Sequence, residues 1–154
     1  MPADGPHETP QMREELRQLR AYWASKGRPG GALPPRADID PLEMRFALGH
    51  LILTDVERGP QPRFRHRLIG THIVERAGYD ATGRYLDEIP ETELAARAAE
   101  SYMHVLATKQ PVWQRLDDIV DGRSTKLELL RLPLAGDGQN VDMILSAAYF
   151  DRAG

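Results

Sequence analysis

The sequence predicts an α+β domain: a five-stranded antiparallel sheet with helices folded over one face and one further helix flanking it at the N-terminus. Three observations carry that expectation. Residues 63–68 alternate strictly, with Arg63, Arg65 and Arg67 on one face and Phe64, His66 and Leu68 on the other, the period-two pattern of a half-buried antiparallel strand. Met12, Leu16, Leu19 and Trp23 recur at helical spacing and form one apolar stripe. Residues 112–119, 125–134 and 141–150 form three late strand-like runs, separated by the hairpin signals Asp121-Gly122 and Gly136-Asp137-Gly138.

The elements follow in order. Residues 1–8 are polar and bear Pro and Gly, as a terminal tail does. Thr9-Pro10 supplies a helix cap and a first-turn proline for the stripe, and Gly27 ends that helix. Residues 28–36 hold three prolines and two adjacent glycines, so they form a loop. Next come three start signals for a short helix: Asp40 as cap, Glu43 reaching back to it, and Ile39 stapled against Met44. A strand at Leu51–Glu57 turns through residues 58–62 into the alternating strand. That alternation stops at Gly70; Thr71 caps a short helix bearing Ile73, Val74 and Ala77, and Gly78 closes it in the left-handed conformation. A polar turn, Asp80-Ala81-Thr82-Gly83, and a second short turn over residues 85–89 lead to a long helix at 91–108. Its apolar face is Leu94, Ala95, Ala98, Ala99, Tyr102, Met103 and Leu106; Glu93, Arg97, Glu100 and His104 make the opposite face. On the last strand, an outward Asp142 turns Met143, Leu145, Ala147 and Tyr149 inward. Ile144, Ala148 and Phe150 then face outward, on a surface too apolar to meet water uncovered. The chain divides into a tail, helix and loop at 1–32 and a core domain at 33–154.

Bulk properties exclude several classes. A chain of 154 residues, 41% hydrophobic and 28% charged, builds one domain with a real core. A net charge of −3 gives no general attraction to nucleic acid or to an anionic membrane. The absence of cysteine excludes disulfides, thiolate metal sites and a cysteine nucleophile. No apolar run approaches the roughly 20 residues of a membrane helix, and no signal peptide is visible, so the cytoplasm is the expected location. His7, His50, His66, His72 and His104 are scattered, without metal-site spacing, and no metal is expected.

Arg67-Leu68-Ile69-Gly70-Thr71, a short helix, and then Gly78-Tyr79-Asp80-Ala81-Thr82-Gly83-Arg84 resemble the PAS domain. They look most like the single-domain PAS proteins of alphaproteobacteria, where a strand ending R-L-x-G-T runs into a helix and then G-x-D-x-T-G-R. The resemblance spans residues 33–150, and its motifs are structural punctuation. It implies a non-catalytic sensory or regulatory module of signal transduction that binds a small ligand or a signalling protein partner. It also raises the expectation of a homodimer built through the N-terminal helix. Without cysteine, the cysteinyl-flavin adduct of light-sensing PAS domains cannot form. Haem-binding PAS domains use a histidine on the long helix. Here the spacing places His104 on the solvent face beside Glu100, so no cofactor is expected.

The expected ligand cavity, between sheet and helices, is walled by Phe64, His66, Leu68, Ile73, Tyr102, Met103, Leu106, Met143, Leu145 and Tyr149. His66 shares an inward face with Phe64 and Leu68, so it needs a hydrogen-bond partner: the backbone, Tyr102, Tyr149 or a ligand. Met12, Leu16, Leu19 and Trp23 are the expected interaction residues, against an outer sheet face of the same chain or of a second copy. The arginine row on the second strand reads as a solvated face paired with neighbouring acids, not a nucleic-acid surface. No G-x-S-x-G nucleophile motif occurs, and Asp117-Asp118 and Asp121 sit beside a turn, where acids are common. The alternative is a small α+β cone acting as enzyme or ligand carrier, with His66 and Asp117 or Tyr149 as its working set.

Overall fold

The computed structural model describes residues 11–89 and 92–151. The expected tail with His7, the Thr9-Pro10 cap and the start of the long helix at Glu91 lie outside the described residues.

Helix α1 spans Glu14–Ser25, with Glu14 and Glu15 in the first turn, where carboxylates oppose the helix dipole favourably. Leu16 and Leu19 are fully buried, and Trp23 Nε1 donates to the Pro133 carbonyl at 2.8 Å. After the loop, Pro41–His50 forms a 3₁₀ run. Asp40 caps it as expected, accepting from Leu42 N at 2.9 Å. Glu43 does not reach back to Asp40; its carboxylate accepts from the Tyr22 hydroxyl at 2.6 Å and ties the run to α1. Ile39 and Met44 are buried in one apolar cluster.

The sheet contains β1 (Leu51–Glu57), β2 (Arg63–Ile69), β3 (Val112–Val120), β4 (Arg123–Leu134) and β5 (Met143–Phe150). Its order is β2-β1-β5-β4-β3, antiparallel throughout. Helix α2 (Thr71–Ala77) follows β2, and helix α3 (Glu93–Thr108) precedes β3. Gly78 ends α2 at φ 84°, the left-handed conformation that its position after the helix calls for. The cap before α2 is Gly70 rather than Thr71. The β3–β4 turn puts Asp121 and Gly122 at φ 53° and 76°, positive at both centres as a type I′ hairpin requires. The Asp121 carboxylate in turn accepts from Glu93 N at 2.8 Å, capping α3 from outside the helix.

The two sheet faces carry two cores. On the outer face, Leu16 and Leu19 of α1 and Met44 of the 3₁₀ run pack on Leu51, Leu53, Leu130, Leu132 and Leu145. On the inner face, Tyr102 and Val105 of α3 pack on Val56, Phe64 and Ile144. Central β5 is therefore buried on both sides, and alternation cannot tell its faces apart. This corrects the expected register. Met143, Leu145, Ala147 and Tyr149 lie on the outer face, while Ile144, Ala148 and Phe150 face the helices α2 and α3. Asp142, the residue that set the expectation, precedes the strand and accepts from Gly136 N at 2.8 Å.

A β-bulge produces a second correction. Thr54 pairs with His66, but Leu53 pairs with Leu68, leaving Arg67 as the extra residue. Phe64 and His66 point inward as expected, and Leu68 turns to the other face, 40% exposed. The outer edge of β2 is covered by the chain around residue 84, with His66 N donating to the Arg84 carbonyl at 2.9 Å. In the arginine row two members pair with acids, and Arg65 Nε donates to the Gly83 carbonyl at 3.0 Å. Arg63 bonds Asp87 at 2.8 Å and stacks on the Tyr85 ring at 3.7 Å, and Arg67 pairs with Asp55 of β1 at 2.9 Å.

Candidate functional site

A cavity of about 190 Å³ lies between the inner sheet face and the layer formed by α2, residues 79–89 and α3. Strand alternation puts Leu127, Leu129 and Arg131 of β4 and Ser146 and Ala148 of β5 on its floor, and Ile73, Ala98 and Tyr102 close it from the helices. Most of the wall is apolar. Arg131, Ser146, His66 and Tyr102 form one polar cluster in that wall, and Thr92, Arg97 and Gln114 are further polar lining residues.

Arg131 is 6% exposed. Its Nε donates to Ser101 Oγ at 2.7 Å, its Nη1 donates to Ser146 Oγ at 2.9 Å, and its guanidinium lies 4.3 Å from the Tyr102 ring centroid. All three partners are neutral. Among the described residues no carboxylate pairs with it. Beside it, Thr54 Oγ1 lies 3.3 Å from His66 Nδ1 and 3.2 Å from the Tyr102 hydroxyl. One hydroxyl thus links β1, β2 and α3. Burial, and secondarily the Arg131 charge, push the His66 imidazole down to about 4.

The depressed imidazole gives a stability prediction. In an unfolded chain histidine titrates near 6.5, so between about pH 6.5 and 4 the unfolded chain binds a proton that the folded one refuses. Stability is full above that window and falls as pH drops through it. Urea unfolding at pH 7 and 4.5 should show His66→Gln losing about 2–3 kcal/mol less than the wild type over this interval. Equal losses would mean that His66 is not held neutral in the fold.

Of the expected cavity residues, His66, Ile73 and Tyr102 line the space. Phe64 and Leu106 sit next to it, in the cluster around Tyr102, where the Phe64 and Tyr102 rings are 5.1 Å apart. Met143, Leu145 and Tyr149 are on the other sheet face, and the bulge removes Leu68. Met103 is 45% exposed, because the inward face of α3 centres on Ser101, Tyr102 and Val105, and one further residue is a 100° turn away. His104 is exposed on α3. The alternative set does not assemble. Asp117 is on β3, at the sheet edge opposite His66, four strand spacings or about 19 Å across. Tyr149 is on the opposite face, its ring stacked 3.9 Å from that of His50. Among the described residues no three His, Asp or Glu side chains converge as metal ligands.

Arg131, Ser101 and Ser146 were not among the residues expected at the site. A signal for Arg131 was present. It interrupts Leu129-Leu130-Arg131-Leu132, an apolar run in which a charge is costly unless it has a use.

A 2-1-5-4-3 antiparallel sheet, with a cavity held beneath a long helix, defines the class of small α+β sensor-type domains. The chain belongs to the PAS domain family, whose sequence pattern matches residues 12–148. Three solved structures share the fold at low identity. A light-oxygen-voltage domain studied with a flavin analogue is 20% identical, with 75% of this chain and 88% of that one aligned at a TM-score of 0.50. The PAS domain of BvgS from Bordetella pertussis is 17% identical, covering 75% and 89% at 0.52. A light-oxygen-voltage protein of Rhodobacter sphaeroides is 16% identical, covering 90% and 70% at 0.50. No curated protein matches the chain by sequence.

Proposed function

We propose that this chain is a sensory or regulatory module of signal transduction, non-catalytic, whose input is a small molecule held in the cavity under α3. The observation that supports this reading is a cavity of about 190 Å³, largely apolar, with a buried polar cluster of Arg131, Ser146, His66 and Tyr102 in its wall. The fold also offers a route for the signal. On β5, Ser146 and Ala148 face the cavity while Leu145 and Ala147 face the core beneath α1, so a shift of that strand is felt on both sides.

A cavity of 150 Å³ holds a benzene, so about 190 Å³ favours an occupant smaller than a flavin, whose analogue was used to study one structural neighbour. The proposed module is still a cytoplasmic homodimer, with a changed surface. Leu16 and Leu19 are consumed within the chain, whereas Leu42, Phe46 and Leu48 of the 3₁₀ run are exposed. Among the described residues no helix is long and apolar enough to cross a membrane.

Native mass spectrometry, with the denatured mass as reference, tests the reading. The wild type should carry or take up a small molecule, and Ala98→Phe, which fills the cavity from α3, should not. Indistinguishable behaviour of the two proteins would place binding elsewhere.

A further inference from the structure

We propose that the molecule held in this cavity is a small organic monocarboxylate, its carboxylate on Arg131 and its apolar body against the α2 and α3 walls. The inference rests on the reading of the cavity as a ligand site and names the chemistry of its occupant.

Charge points to an anion. Arg131 is nearly fully buried, and a buried charge without a counter-ion is costly. Two serine hydroxyls and an aromatic face offset part of that cost, but none of them carries negative charge. Among the described residues no acidic side chain lines the cavity. The other cavity-lining arginine, Arg97, is paired with Glu93 at 2.9 Å and Asp118 at 3.2 Å. Among the described residues Arg131 therefore stands as one uncompensated positive charge, which a single negative charge neutralises.

Geometry gives the same answer. A guanidinium has five N–H donors, and Nε and Nη1 each use one, on Ser101 and Ser146. Both Nη2 hydrogens and the second Nη1 hydrogen have no acceptor among the described residues. One hydrogen from each Nη together can meet the two oxygens of a carboxylate. Ser101 on α3 and Ser146 on β5 fix the plane of the guanidinium, as a recognition site requires. A dianionic phosphate would bring a second charge that His66, held neutral, does not answer. The remaining walls, including Ile73, Leu86, Ala98 and Leu129, suit a hydrocarbon body, and the volume admits one ring or a chain of about six carbons.

The test uses matched acid and amide pairs on the full chain: hexanoate with hexanamide, and phenylacetate with phenylacetamide, by calorimetry at fixed ionic strength and neutral pH. The acid of a pair should bind about tenfold tighter or more than its amide, because only the acid neutralises Arg131. Arg131→Gln should abolish the preference, so that acid and amide of a pair bind alike. Should that variant not fold, the wild-type acid-to-amide ratio decides alone. Acid and amide binding equally would overturn the monocarboxylate inference and leave the cavity reading intact. Failure of every probe to bind would overturn both.

Discussion

Replacing Leu16 and Leu19 together by alanine should leave much of the protein unfolded at physiological temperature. Both side chains are fully buried between α1 and the outer sheet face, among Leu130, Leu132, Leu145 and Met44. A leucine-to-alanine change at such a site costs about 2–5 kcal/mol, from lost transfer energy and from the cavity left behind. The two positions share one cluster, so their costs are not strictly additive, but the sum reaches about 4–8 kcal/mol. Domains of this size hold about 5–15 kcal/mol in total. Urea unfolding followed by far-UV circular dichroism measures the loss. Gln18→Ala is the control, since Gln18 is exposed on the same helix and should shift stability by less than about 0.5 kcal/mol. A double-variant loss below about 2 kcal/mol would mean that α1 only rests on the sheet. The same packing alters what removal of the helix does. Deletion uncovers a leucine-rich sheet face, so aggregation is the expected result rather than a well-behaved monomer.

The fold is legible in the sequence wherever local pattern and local chemistry coincide. The α1 stripe, the long amphipathic α3, the left-handed Gly78 and the Asp121-Gly122 hairpin each obey a rule operating within about one turn of chain. The site is legible only in part, for two physical reasons. Alternation predicts a face only for a strand with one wet side, and β5 has none; the only local guide to its register is Asp142, which belongs to the loop. A bulge leaves no periodic trace, so alternation carries Leu68 inward with Phe64 and His66, although Arg67 resets the pattern between them. These two failures account for four of the misplaced residues, Leu68, Met143, Leu145 and Tyr149. Arg131 escapes for the opposite reason. It is a polar residue in an apolar strand, and its meaning emerges only when Ser101, Ser146 and Tyr102 are brought to it from other segments.

Gly70→Ala should cost about 3 kcal/mol, although the residue lies in an ordinary backbone conformation, at φ −64° and ψ 152°. The reason is space. A methyl group on Gly70 would stand 2.2 Å from the Gly49 carbonyl oxygen, 2.4 Å from the Gly49 carbonyl carbon and 2.9 Å from His50 N. All three are backbone atoms, so no side chain can swing away. The 3₁₀ run and the start of α2 would have to separate, with the Gly70 N–H pulled from the Leu51 carbonyl, which it meets at 2.7 Å. The crossing is tight from the other side as well, because a methyl on Gly49 would stand 2.3 Å from the His72 ring. The close approach brings His72 onto His50 at 4.4 Å between ring centroids, and His50 onto Tyr149 at 3.9 Å, with the Arg13 guanidinium 4.4 Å from the Tyr149 ring centroid. Separating the two segments therefore loosens a four-layer stack that joins α2, the 3₁₀ run, β5 and the residue before α1. Gly59→Ala is the comparison, since a methyl there meets nothing within 4 Å and should be neutral or stabilising by about 0.5 kcal/mol. Urea unfolding reports the cost of each change, and near-UV circular dichroism, compared with that of Tyr149→Phe, reports the environment of the stacked tyrosine. Gly70→Ala should lower the unfolding midpoint and alter the tyrosine signal together. A variant with both unchanged would show that the two segments do not cross this closely.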